Sequence, residues 1–149
     1  MIEIKIKISN LNEIRDNLMK SPEIISKHTN KAIKKSINDI HNAAIGTTPV
    51  QTGHLSASIT RGISFSNLRG EIGPTTKYGI WVHEGTGIYA TGGGGRNTPW
   101  RFKGSRGWSW TKGQRPNRYL LRAVTKTTDK IDENFKEGLS DALAQIAKK

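Results

Sequence analysis

Apolar and polar residues alternate strictly at the start of the chain. In IEIKIKI, Ile2, Ile4, Ile6 and Ile8 fall on one face and Glu3, Lys5 and Lys7 on the other. That period predicts a half-buried strand whose charged face meets water or an acidic neighbour. The period then lengthens. Asn10 can cap the next turn with Glu13 reaching back to it, and Leu11, Ile14 and Leu18 mark a short helix. Ser21-Pro22-Glu23 restarts the pattern, with Ser21 as cap, Pro22 at the first helical position and Glu23 near the positive end of the dipole. Ile25, Ile33, Ile37, Ile40 and Ala44 then trace one helical stripe that Gly46 ends. This helix is predicted from about Pro22 to Ile45, roughly 35 Å at the α-helical rise.

From Ser56 the texture becomes β-branched and aromatic, broken by turn residues. Strands are predicted near 57–65, 68–73 and 78–84, with turns at Ser66-Asn67 and Gly73-Pro74. In the last of these strands Ile80 and Val82 share one face, Trp81 and His83 the other. A run rich in glycine, tryptophan and arginine follows. Beyond it, Leu121, Val124, Thr128, Ile131, Phe135, Leu139, Ala142 and Ile146 recur at steps of three and four. They predict a helix from Arg118 to Ala147, capped by Asn117 and about 45 Å long. A compact chain of 149 residues has a radius of gyration of about 15 Å and, as a uniform sphere, spans about 38 Å. The last helix therefore either bends near Gly138 or overhangs, and an overhanging apolar stripe needs a partner.

Composition narrows the classes. The length fits one domain, 1–149, with a long loop insertion at about 87–114. With no cysteine, a disulfide framework and a thiolate metal site are excluded. The first residues hold no apolar block of signal-peptide length, and no window approaches the ~20 apolar residues of a membrane span, so a soluble chain made in a cytoplasm is expected, with no membrane partner. The formal charge of +12 favours polyanions or acidic protein surfaces without separating the two.

The candidate chemistries fail one by one. Gly85-x-Gly87-x-x-Ala90 formally fits a dinucleotide fingerprint, but TGGGGRNTP follows where a helix N-terminus must receive the pyrophosphate. No Gly-Lys-Ser/Thr ends the run, so a phosphate loop fails too. His83-Glu84 opens a zinc motif whose second histidine position is Gly87, and His28, His41 and His54 sit apart. His28 and His41 are expected on a helix surface or interface. Ser56 and Ser58 have no paired base and acid, and Glu71 and Glu84 are the only acids between Thr48 and Arg118. No catalytic, cofactor or metal residue is assigned, and an enzyme is not expected. What remains is the loop itself: Arg96, Arg101, Lys103, Arg106, Lys112 and Arg115 with Trp100, Phe102, Trp108 and Trp110. Aromatic platforms with cations suit single-stranded nucleic acid. A hairpin or flap whose tryptophans pack on a neighbouring protein is the preferred reading, since tryptophan and arginine also dominate protein–protein hot spots.

Three blocks in order, TTPVQTGHLSASI, YGIWVHEGTG and GQRPNRYLLRAV, resemble the head–tail joining or tail-completion family of long-tailed bacteriophages and prophages, whose members include minor tail components. The pattern is carried by Thr48, Pro49, Val50, Thr52, Gly53, Leu55, Ser58 and Ile59, then Tyr78, Val82, Glu84, Gly85, Thr86 and Gly87, then Gln114, Pro116, Leu121 and Ala123. Pro49 is expected to fix the exit from the long helix and Thr52-Gly53 to turn the chain into the first strand. Gly79 replaces the family's usual alanine, and Asn117, Arg118 and Tyr119 replace its Pro-Phe portion, which puts the docking of the last helix in doubt. The resemblance implies a non-enzymatic virion protein of the neck or upper tail, assembled in the host cytoplasm. It implies a homo-oligomeric ring, hexameric in the simplest case, around the axial DNA path, with neighbouring neck and tail proteins as further partners. DNA would pass without tight specific binding. The expected fold is α+β: a small, mostly antiparallel sheet, with the long N-terminal and C-terminal helices packed on one side and a long Gly/Trp/Arg-rich loop. Trp100, Arg101, Phe102, Arg106, Trp108 and Trp110 are the expected subunit or partner interface, and a basic nucleic-acid-binding module is the alternative.

Overall fold

The computed structural model describes residues 11–64, 66 and 68–148. The strand expected at Ile2–Ile8 lies outside the described residues. Helix α1 runs unbroken from Leu11 to Thr47, with Pro22 inside it. The two helices expected on either side of Ser21 are therefore one, about 55 Å long at 1.5 Å per residue. Pro22 has no N–H to give to the carbonyl one turn back, and the helix continues through that missing bond because its other bonds and its packed face continue on both sides. Gly46 does not end α1; Thr48 does. Its Oγ1 donates to the Ala44 carbonyl at 2.6 Å and its N–H to the same oxygen at 3.0 Å, after which Pro49 cannot extend the helix.

The chain does not enter a strand directly from Thr52-Gly53. A one-turn helix α2 (His54–Ala57) intervenes, and its only buried residue is Leu55. Strands β1 (Ile59–Ser64) and β2 (Arg69–Pro74) then pair antiparallel, Ile59 opposite Pro74 and Ser64 opposite Arg69. Pro74 is thus the end of a strand and not a turn. The hairpin lies against α1: Gly70 sits so close to Ile37 and Ile33 that a Cβ there would meet the Ile37 side chain.

The predicted third strand is a helix, α3 (Lys77–Glu84). Its β-branched and aromatic residues are overridden by tertiary packing. Helical spacing puts Gly79, Val82 and His83 on the inner face and leaves Ile80 and Trp81 about 60% exposed, so the pairing of faces expected for a strand does not occur. Strands β3 (Trp100–Gly104) and β4 (Gly107–Thr111) form a second antiparallel pair inside the predicted loop. The architecture is α+β with two two-stranded antiparallel sheets, and the core gathers Ile33, Ile37, Ile40, Ala44, Leu55, Ile59, Tyr119 and Ala123.

Helix α4 (Tyr119–Ala147) lies antiparallel on α1. Thr47 Oγ1 donates to the Tyr119 carbonyl at one end, and His28 Nε2–H donates to Gln145 Oε1 at the other. Between them run Lys35–Glu137 at 2.6 Å and Lys31–Asp141 at 3.6 Å. The Glu137 carboxylate, hydrogen-bonded to Lys35, holds the ammonium's pKa above its ordinary value. In this register it is α1 that overhangs: its first turns, before Ile25, project past the end of α4.

The seam is built from small residues, Ala32, Ser36 and Ala44 on α1 with Ala123, Thr127, Gly138 and Ala142 on α4. Its polar members are satisfied, since Asn134 Nδ2 donates to Ser36 Oγ at 3.2 Å and Asp39 Oδ2 at 2.9 Å. Gly138 is a point of helix contact: a Cβ there would lie 3.1 Å from the His28 carbonyl oxygen and 3.3 Å from the Ala32 Cβ. The apolar stripe traced from the sequence is split: Ala142 is buried in the seam and Ile131 packs on the core, while Leu121 at 52%, Phe135 at 40% and Leu139 at 56% exposed face outward. Gly138→Val is expected to push the helices apart and cost about 1–3 kcal/mol as overpacking, read as a lowered urea midpoint with little change in slope.

Candidate assembly surfaces

The segment from Gly87 to Lys112 is a projecting hairpin on a narrow neck. At that neck the outgoing and returning chains cross backbone to backbone. Thr86 N–H donates to the Gln114 carbonyl at 2.9 Å, Gln114 N–H to Thr86 Oγ1 at 2.9 Å, and Ile88 N–H to the Lys112 carbonyl at 3.0 Å. Only glycine fits this crossing. Gly87 has φ 61° and Gly113 φ 127°. A Cβ on the first would strike the Lys112 carbonyl, and one on the second the Thr86 carbonyl. The glycines that formally matched a dinucleotide fingerprint are thus spent on the chain's own crossing, and a 3-10 turn at Gly87–Tyr89 follows them.

Beyond the neck no residue of 88–112 is buried. Cross-strand register pairs Arg101 with Trp110 and Lys103 with Trp108, all on one face, while Trp100 and Phe102 take the other. Trp108 and Trp110 remain 63% and 69% exposed. Three cations lie over rings: Arg101 on Trp108 at 5.2 Å, Arg96 on Trp100 at 5.7 Å and Arg115 on Tyr89 at 5.4 Å. The hairpin thus brings together all six residues expected at an interface but divides them, with Arg106 between the strands, Arg101, Trp108 and Trp110 on one face, and Trp100 and Phe102 on the opposite one.

The motif residues divide into a buried framework and an open rim. In the framework, Leu55 and Ile59 join the core, and Ser58 donates to the Leu55 carbonyl at 2.7 Å while its own carbonyl accepts the Thr75 N–H at 2.9 Å. Gly85 and Gly87 build the neck, with Pro116 packed beside Gly85, and Ala123 is fully buried in the seam. The rim is a groove of about 490 Å³ where Pro49, Val50, Thr52, Gly53 and Leu55 face Tyr78, Val82, Thr86 and Gln114. Two sequence blocks more than 20 residues apart therefore line one open trough. Tyr78 and His54 share a hydrogen bond of 3.1 Å beside it. Glu84 accepts His83 Nδ1–H at 2.8 Å, which holds its carboxyl pKa below the usual range, and its carbonyl accepts both the N–H and the hydroxyl of Thr91. Leu121 stands apart from both groups, exposed on α4.

Tyr119 is the residue that sequence reasoning passed over. It is the largest fully buried side chain. Its hydroxyl donates to the Gly79 carbonyl at 3.2 Å and its ring stands edge-on to His83 at 5.3 Å. Burial, with Tyr78 nearby, pushes its phenol pKa upward. The approach to α4 is docked on α3, because Asn117 and Arg118 donate their N–H groups to the Val82 and His83 carbonyls. Asn117 does not cap α4. Its Oδ1 accepts from Arg122, which also reaches the Thr47 carbonyl, and the cap position is Arg118 in the left-handed region with φ 52°. His41, for its part, links α1 to β1 by donating Nε2–H to the Ile59 carbonyl and accepting from Arg61.

Among the described residues, no group of three or more His, Cys, Asp or Glu side chains is placed to hold a metal ion, and no helix is long and apolar enough to cross a membrane. Residues 12–85 match the HK97-gp10-like family model, described as "Bacteriophage HK97-gp10, putative tail-component". The match takes in α1 from its second residue, the first motif block, the first hairpin, α3 and the second motif block as far as Gly85. The flap, the third block and α4 lie beyond it. Neither the curated proteins nor the solved structures yield a match to the chain.

The neck can be tested without touching the core. Gly87→Ala is expected to open the crossing and leave the body folded. Trypsin should then cleave within 88–112 many times faster than in the parent, while the far-ultraviolet spectrum of the helices is retained.

Proposed function

Because residues 12–85 match the HK97-gp10-like family of bacteriophage tail components, we propose that the chain is a structural, non-enzymatic protein of the neck or upper tail that forms a ring of identical copies and joins or completes the tail at the head. Assembly takes place in the host cytoplasm, and DNA passes through the ring without a tight grip. One observation carries this reading: a hairpin with no buried residue presents two largely exposed tryptophans from a rigid neck. A permanently solitary protein gains nothing from two exposed indoles, whereas indoles at the centre of an interface are its commonest anchors. The exposed leucines and phenylalanine of α4 are a second unfinished surface, as a closed ring requires, since each copy must meet its two neighbours through different faces.

Replacing Trp100, Trp108 and Trp110 together by alanine is expected to abolish tail joining and self-association while the monomer keeps its helical spectrum, because none of the three is buried. Infectious particles assembled with the triple variant would overturn the assignment. The alternating cations and rings of the flap favour a second reading, a nucleic-acid-binding module. A salt titration separates the two. Six phosphate contacts on a duplex give a log–log slope of about −5; tight DNA binding with that slope and no self-association would establish the module, whereas weak binding is expected of the ring.

A further inference from the structure

The charge of the molecule is unevenly divided between its two unfinished surfaces. Segment 88–116 carries six arginines and lysines and no acid. Helix α4 is close to balanced, with five acids against four cations, Lys136 among them one turn after Asp132, in a chain of formal charge +12. Two of those acids, Glu137 and Asp141, are held by Lys35 and Lys31 along α1. Asp129 and Asp132 are exposed away from that flank. Asp132 lies one turn before Phe135 and two before Leu139, so it borders the outward apolar stripe. Where Gly138 and Ala142 leave no bulk, Phe135 and Leu139 form, with Ile25 of α1, an apolar groove of about 230 Å³. That is space for one large side chain and not for a helix.

The flap bears the complementary pattern. Its Arg101, Lys103, Trp108 and Trp110 face combines two cations with two exposed indoles, just as the stripe combines two carboxylates with an apolar slot. We propose that this face of one copy docks on the α4 stripe of the next copy, with an indole in the Ile25–Phe135–Leu139 groove and Arg101 and Lys103 opposite Asp129 and Asp132. The proposal rests on the ring reading above and specifies which surface receives the flap. The six cations of the flap, with no acid among them, disfavour flap on flap, since like charges brought together across an interface are strongly unfavourable.

Charge reversal tests it at exposed positions that leave the fold intact. Asp129→Lys with Asp132→Lys is expected to weaken self-association, measured by sedimentation and native mass spectrometry, on the order of tenfold for two exposed pairs. Adding Arg101→Glu with Lys103→Glu should restore it. Because the chain has no cysteine, Lys103→Cys with Asp132→Cys gives an independent readout: oxidation should produce a ladder of disulfide-linked multimers. Undiminished assembly of the α4 reversal, absence of rescue, or oxidised chains that remain monomeric would overturn this contact and leave the ring reading standing. A parent protein that never self-associates, even at high concentration, would overturn both.

Discussion

The close contact between α1 and α4 governs the rest of the molecule. Two long helices can approach this tightly only where most of their facing side chains are short, and here they are alanine, serine, threonine and glycine, with Asn134 hydrogen-bonded across to Ser36. That choice has a price in apolar surface. Leu121, Val124, Phe135, Leu139 and Leu143 cannot enter so narrow a seam and are left outside. The core is completed instead on the other flank of α1, where the β1–β2 hairpin lies on Ile33 and Ile37. The body is therefore stable through one face of α1 and one face of α4 while retaining a large-residue ridge with nothing over it.

Tyr119 connects this helical pair to everything else. Its position at the first residue of α4 puts a bulky ring where α1 ends, and its hydroxyl takes the Gly79 carbonyl of α3. The two N–H groups just before it satisfy carbonyls at the end of the same helix. The final helix is thus seated without the proline and phenylalanine of the resembling family. A tyrosine, a left-handed arginine and two backbone bonds hold it in place. The same region carries the motif glycines, so the framework of the body and the root of the flap are one continuous construction.

Much of this was readable from residue patterns, and the failures have physical causes. The two long helices, the β1–β2 hairpin and the α+β class follow from periodicity. The choice of inner face on α4 does not. Ala123, Thr127, Gly138 and Ala142 repeat at the same spacing as Leu121, Phe135 and Leu139, and hydrophobicity favours the second set, whereas helix approach distance favours the first. KYGIWVHE carries strand-forming residues, but Gly79 must pass within contact of Pro74 and Leu55, and a helix supplies that close approach. Pro22 looked like a beginning because a proline is easiest to place there, and nothing local reveals that packing on both sides carries the helix through it. At the candidate site, composition alone picked out the six flap residues. Their division between two faces needed the register, and the groove between the Pro49 and Tyr78 blocks needed the fold.

The glycine crossing at the root of the flap separates two kinds of demand on the sequence. Below it, the core positions are constrained by contact; above it, beyond Thr91 and Gly95, which still meet Glu84 and Gly87, the side chains meet chiefly one another. Substitutions, and even changes in length, between 96 and 111 can therefore accumulate without unfolding the body, so long as Gly87, Gly95 and Gly113 still let the strands pass. Such a layout makes the tip an exchangeable cassette, free to be retuned to a new neighbour while its socket stays the same.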